Sequence, residues 1–569
     1  MRPRLVWLLL GAATVGVAVG VASSVLDLQR FAQTETASLE LEAGTRGDAS
    51  LVNLHPGANS WFLLTLRGAA DAPAAVYHLE NARPATQVVH LDAAGGGALL
   101  LSERAQTSTC VPWMQQPLSE LERARRSGLP FAPLCGGRLF LRNSVRGRRT
   151  TLEATTEFLR DHVWGGERIV GFVRREFFKD AFIERGQPVA GATPAANGTA
   201  PSGAPSPAAL APGRKDDAIT PASLGLDVDA AGGAMVPGEW TAVRGLDGIF
   251  VSLMQGSAVI GSAAASIAPS WRPDTVEARA LFYLVAFDLS RYQLGFVLGT
   301  DHPRLGWSPR TRDEVRDPAL PGPDGFDTAA PLVRTGMMVP SAEAAVVATF
   351  TGGFKREHSA FRYGALAQRN RGSHYGFVEQ GVVFSRLIPG LATLYALDDG
   401  TVGMKTWTGE DDALSARLGS ARQNGVPLVE PDALTGVPMP GALVERWGLG
   451  NWSGSADEQL RTLRAGACLL QNGRHRHLVY GYFSTARPST MARVFLAYGC
   501  RYAMHLDMNA LEHTYLALYP RRGERIVVQH LVRDMSQLDK ASGDSLLPRF
   551  LAFPDDRDFF YIARRPGNQ

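Results

Sequence analysis

RYAMHLDMNALEHT, residues 501–514, alternates apolar and polar side chains with the period of a β-strand. His505, Asp507 and Asn509 fall on one face, and Met504, Leu506 and Met508 on the other. The preceding segment, Ser489 to Tyr498, repeats Met491, Val494, Phe495 and Tyr498 at helical spacing, with Gly499 where a left-handed stop is wanted. A helix handing over through Gly499 to a strand that ends in polar groups is a way to hold a carboxylate at a sheet edge. The plainer alternative is a strand whose outer face is wet.

Outward from this unit, short apolar stretches bounded by Gly, Asp and Pro predict strands at 60–66, 87–91, 98–101, 278–288, 292–299, 344–350, 376–384, 391–397, 466–471 and 478–482. Helical patterns cover 118–126 and 151–162, and a further helical stretch is read around 262–267. Mixed strands with packed helices give an α+β fold, with a mixed β-sheet in the catalytic-type domain and a smaller mixed α/β accessory domain before it. A chain of 569 residues exceeds one ordinary core. The expected division is a signal segment at 1–26, an accessory domain at 27–185, a linker at 186–238 and a second domain at 239–569. The linker reading rests on composition, since TPAANGTAPSGAPSPAALAPG offers little apolar surface to offset its ordering entropy.

Arg2 and Arg4 precede an apolar run from Leu5 to Ala22. Its length approaches the roughly 20 residues that cross a bilayer as a helix. The basic flank predicts a single N-terminal signal anchor with the bulk outside, in the inner membrane and facing the periplasm. Gly20-Val21-Ala22 offers a cleavage site, which would make the protein secreted instead. Export makes disulfides the leading reading of two local cysteine pairs, Cys110 with Cys135 and Cys468 with Cys500; free buried thiols are the alternative. A formal charge of +3 with 20% charged residues and no Lys/Arg block argues against a nucleic-acid partner.

Chemistry-bearing residues concentrate in the second domain. Thr351-Gly352-Gly353-Phe354 follows a strand, and its two glycines let the backbone approach a ligand or simply turn tightly. The next stretch, Lys355 to His374, carries Arg356, Glu357, His358, Arg362, Arg369, Arg371 and His374, either a solvated loop or the rim of an anion site. Arg422 and Arg464 each stand near a strand, where an Arg fork can take two phosphate oxygens. His505, Asp507, Asn509 and His513 fit neither HExxH nor a calcium loop, although Asp507 and Asn509 could hold a hard divalent cation such as calcium. No phosphate-binding P-loop, dinucleotide fingerprint or Gly-x-Ser-x-Gly elbow occurs.

Taken in order, these segments resemble the phosphodiester glycosidase family, related to the uncovering enzyme that removes N-acetylglucosamine from a phosphodiester. Thr351-Gly352-Gly353-Phe354 is similar to that family's NGGF turn, with Thr where Asn is usual. Arg422-Gln423-Asn424 resembles an RQN segment, Trp447-Gly448 with Arg464-Ala465-Gly466 a WG and Arg-Ser/Thr-Gly pair, and Ala503 to Asn509 an AMxLDxN variant of the LDGG motif. The resemblance spans roughly 278–519. It implies hydrolysis of a bond between an anomeric carbon and a phosphate oxygen in a phosphodiester-linked glycan, without a cofactor. It assigns Asp507 to acid/base or nucleophilic work, Arg464 and Arg422 to phosphate, and Asn509 to orientation. Thr351, Gly352 and Gly353 would line the substrate, with Glu357, His358 and Glu512 in reserve for a second proton-transfer group. The rival is a lapsed, membrane-anchored member that binds glycan or assists envelope assembly without turning substrate over.

Overall fold

The computed structural model describes residues 24–40, 46–68, 73–93, 97–114, 117–162, 182–185, 201–210, 218–230, 233–259, 272–358, 360–444, 461–523, 525–543 and 545–566. The fold is mainly β rather than α+β. Antiparallel sheets dominate, with an eight-stranded sheet, two five-stranded sheets and a six-stranded sheet in the N-terminal region. Helices are few and short, the longest described ones being α1 (Thr151–His162) and α2 (Pro488–Ala497). The expectation of an α+β fold is corrected because strands far outweigh helices: one face of the central strand Leu281–Asp288 lies in the core between sheets, and the other shares a core with α2. Leu281–Asp288, LFYLVAFD, is buried at every position, and so is Val346–Thr351. Such runs are apolar on both faces and can be covered by a sheet or by a helix.

Five strands position the region of interest: β1 (Val346–Thr351), β2 (Leu418–Gln423), β3 (Thr462–Asn472), β4 (Tyr502–Met508) and β5 (Phe559–Arg564). β1 and β5 are antiparallel neighbours in one five-stranded sheet, with Thr351 opposite Phe559. β3 and β4 pair in the eight-stranded sheet, with Arg464 opposite Met508. β2 belongs to the second five-stranded sheet. α2 packs its apolar face on the eight-stranded sheet, and Gly499 follows with φ +82, as its position after the helix predicts. β4 is buried at every position, so the wet outer face read from its alternation does not exist.

Both cysteine pairs are disulfides, Cys110–Cys135 and Cys468–Cys500. They fit an oxidising compartment. The expected membrane anchor, and with it attachment to an inner membrane, finds no support: among the described residues no helix is long and apolar enough to cross a membrane. The apolar N-terminal run itself lies outside the described residues, as do the helical stretch at 262–267 and Trp447-Gly448.

Within the stretch read as a linker, Ile219, Leu224, Leu226 and Met235 sit in the main core, and Ala208 in a second one. Ile219 bridges Met235, and Leu224 bridges Val532. Spaced apolar residues on an already stiff Pro-rich chain cost less ordering entropy than composition alone implies. The N-terminal region also joins this core, through Val25, Leu28, Leu54, Trp61 and Leu63.

Candidate functional site

The ends of strands from three sheets meet around Asp507. β4 delivers it, buried, with Oδ1 accepting from the Met508 N–H at 2.8 Å. Its Oδ2 accepts from Arg557 Nη1 at 2.6 Å. Arg557 lies in the run Asp555-Asp556-Arg557-Asp558, immediately before β5. Its other terminal nitrogen, Nη2, donates to Glu153 Oε1 at 2.5 Å and to His513 Nε2 at 2.7 Å. Glu153 comes from α1 in the N-terminal region. Lys355, buried just past the glycine turn, reaches Asp556 at 2.6 Å and Glu153 at 3.0 Å.

Behind this group stands a second layer. Arg422 at the end of β2 donates from Nε to Asp558 Oδ2 at 2.8 Å and from Nη2 to the Phe354 carbonyl at 3.1 Å. The guanidinium lies over the rings of Phe377 and Tyr375, at 4.6 and 5.1 Å. Asn424 fastens the sheets together. Its Nδ2 donates to the carbonyls of His505 and Leu506, each at 2.7 Å, and its Oδ1 accepts from Phe354 N–H and Arg422 Nη1, each at 3.1 Å. The Gly352 N–H donates to the Asp558 carbonyl at 2.9 Å. A Cβ on Gly352 would stand 2.5 Å from Asp558 Oδ2, and one on Gly353 2.7 Å from Asn424 Oδ1. Both glycines are therefore required by close packing of site side chains.

Charge in this buried setting is uneven. Burial pushes Asp507 up to about 6, against the opposing pull of Arg557. Burial would also raise Glu153, but Arg557 and Lys355 outweigh it and hold the carboxyl well below its usual range. Burial, reinforced by Glu153, takes Asp556 to about 7. His513 is held well below its usual value by burial and by Arg557, so it is neutral. Its Nδ1 meets the Met508 carbonyl at 2.7 Å, which leaves Nε2 as acceptor for Arg557. The arrangement holds two carboxyls that can exchange a proton near neutrality, Asp507 and Asp556, and one that stays ionised, Glu153.

Of the sequence-predicted residues, Thr351, Gly352, Gly353, Arg422 and Asp507 come together here. Thr351 is buried and donates its hydroxyl to the Glu512 carbonyl at 3.2 Å. Arg464 sits beside the group rather than in it. Its nitrogens meet the Ala486 carbonyl at 2.8 Å, His505 Nε2 at 3.1 Å and Met508 Sδ at 2.9 Å. Burial lowers its pKa to about 9, with Glu277 opposing, so it keeps its charge at neutral pH. Asn509 adopts φ +85 and accepts from the Thr462 hydroxyl at 3.1 Å, shaping the exit from β4 rather than touching the Asp507 carboxylate. Glu357 is buried on the rim with Arg304 at 3.4 Å. Glu512 accepts from the Thr150 hydroxyl at 3.1 Å. The His358 side chain lies outside the described residues.

Sequence reasoning missed Arg557, Asp558, Asp556, Lys355, Asn424 and Glu153. The signal for the first three was PDDRDFF at 554–560, a dense charge run abutting an apolar strand. Glu153 carried the signal of a Thr-x-x-Glu helix start, which gives no sign that its carboxylate turns to a distant partner.

The cation expected at Asp507 and Asn509 finds a different set. Glu153, Glu512 and His513 bring potential ligand atoms within 4.8 Å of one another, and Asp507 does not belong to that group. The Arg557 guanidinium already donates to two of the three, so a cation is in place there.

No family model matches the chain, and no curated protein does. Twelve chains of solved structures are similar to it, two of them as follows. The catalytic domain of zebrafish N-acetylglucosamine-1-phosphodiester alpha-N-acetylglucosaminidase, auto-inhibited by its pro-peptide, is 10% identical with a TM-score of 0.28, covering 57% of this chain and 85% of that one. A hypothetical protein from Synechocystis is also 10% identical, with a TM-score of 0.26, covering 93% of this chain and 99% of that one. Neither match is strong enough to bear on substrate or mechanism.

Proposed function

We propose that the chain is a hydrolase of glycosyl phosphodiesters, in which Asp507 moves the proton and Arg557, Lys355 and Arg422 meet the phosphate charge. One observation carries this reading: Asp507, pushed up to about 6, is held 2.6 Å from a buried guanidinium. A carboxyl poised near neutrality can protonate a leaving oxygen and later accept a proton from water. Guanidinium and ammonium groups shielded from water stabilise developing phosphate charge far better than exposed ones. The motif order from Thr351 to Asn509 supports the same reaction class. The phosphate role moves from Arg464 to Arg557 and Lys355, because Arg464 meets His505 and Met508 instead.

A second reading has an observation of its own. Asp507, Arg557, Glu153 and Lys355 are buried and bonded to one another, as in a lapsed site that binds glycan without turnover.

The deciding experiment incubates the full chain with the methyl diester of N-acetylglucosamine 1-phosphate, with and without chelator. Free sugar plus methyl phosphate, lost in Asp507→Asn and Arg557→Met, is the expected result. Sugar 1-phosphate plus methanol would put cleavage on the other side of phosphorus. Binding with no product would favour the lapsed reading.

A further inference from the structure

We propose that Glu153, supplied by the N-terminal region, is a positioning residue of the Asp507 site: it clamps Arg557 and Lys355 and so sets the charge that Asp507 experiences. The geometry is direct. One oxygen, Glu153 Oε1, takes Arg557 Nη2 at 2.5 Å and Lys355 Nζ at 3.0 Å, while Nη1 of the same guanidinium holds Asp507 at 2.6 Å. A guanidinium is planar and its fork is rigid, so fixing one nitrogen fixes the direction of the other. Arg557 Nε also lies 3.1 Å from Glu153 Oε1, which makes the contact a two-nitrogen clamp.

The helix start explains how the carboxylate gets there. The Glu153 N–H donates to the Thr150 hydroxyl at 3.1 Å, the cap expected of Thr-x-x-Glu. Thr150 in turn donates to Glu512 at 3.1 Å, and Arg148 bridges Asp555, so the N-terminus of α1 is pinned to the C-terminal site at three points. The region read as accessory thus completes the charge arrangement of the other.

The sign of the coupling follows from the neighbours. Asp507 is faced by Arg557, Arg422, Asp558 and Tyr480; Glu153 is faced by Arg557, Lys355, His513 and Asp556. Removing the Glu153 charge leaves Arg557 and Lys355 less compensated and takes an anion away from Asp507. Both effects favour the ionised carboxylate.

The test uses the full chain and does not require turnover. The carboxyl C=O infrared band of Asp507, assigned by its loss in Asp507→Asn, is titrated in the parent and in Glu153→Gln. Its midpoint is expected to fall by about one pH unit in Glu153→Gln, the scale set by a charge a few ångströms away. Glu153→Asp is expected to retain most of the parent value. Thr150→Val, which loosens the helix start without touching the charge, gives a smaller shift in the same direction should Glu153→Gln not fold. A midpoint that stays or rises overturns the proposal. The catalytic half of the proposal rests on the glycosyl phosphodiester reading. If the parent turns over the methyl diester, the alkaline limb of kcat, set by the protonated Asp507 that the leaving oxygen needs, moves down with the infrared midpoint. A rise in kcat for Glu153→Gln would overturn the positioning role. If no diester is cleaved, the infrared result still decides the coupling.

Discussion

Asp507 is a carboxyl group kept from water beside a guanidinium, and the two surroundings pull its proton in opposite directions. Burial wins, leaving it at about 6, above its value in an unfolded chain. A group raised on folding contributes stability that is full below the unfolded value and is lost as pH rises through the folded one. The folded protein is therefore expected to lose about 3 kcal/mol from this group between about pH 4 and pH 6. Glu153, held low, contributes in the opposite sense: its stabilisation is present above the unfolded value and is lost on acidification. Urea unfolding of the parent and of Asp507→Asn across this range separates the two. The parent should lose ground to Asp507→Asn between pH 4 and 6, and parallel curves would show that Asp507 is not raised. This residue was legible in the sequence because alternation and a motif both pointed to it. Arg557 was not, because its run lies beyond the span of the resemblance and a guanidinium's partner is set by tertiary contact. Lys355 likewise reads as one more basic residue in a charged loop until burial puts it against Glu153 and Asp556.

At the scale of elements, the site exists because strands from separate sheets end at one place. The turn after β1 must let Asp558 pass, which requires that position 352 carry no side chain. Gly352→Ala places a methyl 2.5 Å from Asp558 Oδ2 and must displace it from Arg422. The expected cost is about 1–3 kcal/mol, the range for forcing an extra carbon into a packed interior. Gly409→Ala is the control, since a Cβ there meets nothing within 4 Å, and it should change stability by less than about 0.5 kcal/mol. Equal midpoints in urea for the two variants would contradict this account of the turn. Strand positions were mostly legible: Gln87–Leu91 and Tyr292–Val297 lie where punctuation by Gly, Asp and Pro placed them. α1 also lies where its pattern put it, at Thr151–His162. What could not be read was layering, because a run such as LFYLVAFD is apolar on both faces and does not say whether helix or sheet covers it.

Across the whole molecule, the N-terminal region and the remainder share one core. Trp61 is 1% exposed within the cluster that holds Phe350, Tyr480 and Phe560 from the C-terminal sheets. Its ring packs edge-on to Phe384 at 6.0 Å and lies under the Arg142 guanidinium at 4.2 Å. Arg142 reaches Glu379 at 3.9 Å, and burial, against Arg142, pushes that carboxyl up to about 8. The Val333 N–H donates to His78 Nδ1 at 2.8 Å across the same boundary. An interface built from a buried indole, buried ions and shared hydrogen bonds does not let one side unfold without exposing the other. Composition hid this, since it marks where a chain is poor in apolar residues and not where its few apolar residues dock. Trp61→Ala should accordingly cost about 3–5 kcal/mol, as for other buried aromatic truncations. The loss should appear in calorimetry as a lower midpoint of a single transition, with calorimetric and van't Hoff enthalpies in agreement. A variant that instead splits into an early transition for the N-terminal sheet and an unmoved one for the remainder would show two independent cores. Glu153 could then leave the Asp507 site while the C-terminal sheets remain folded, and the clamp would be a detachable one.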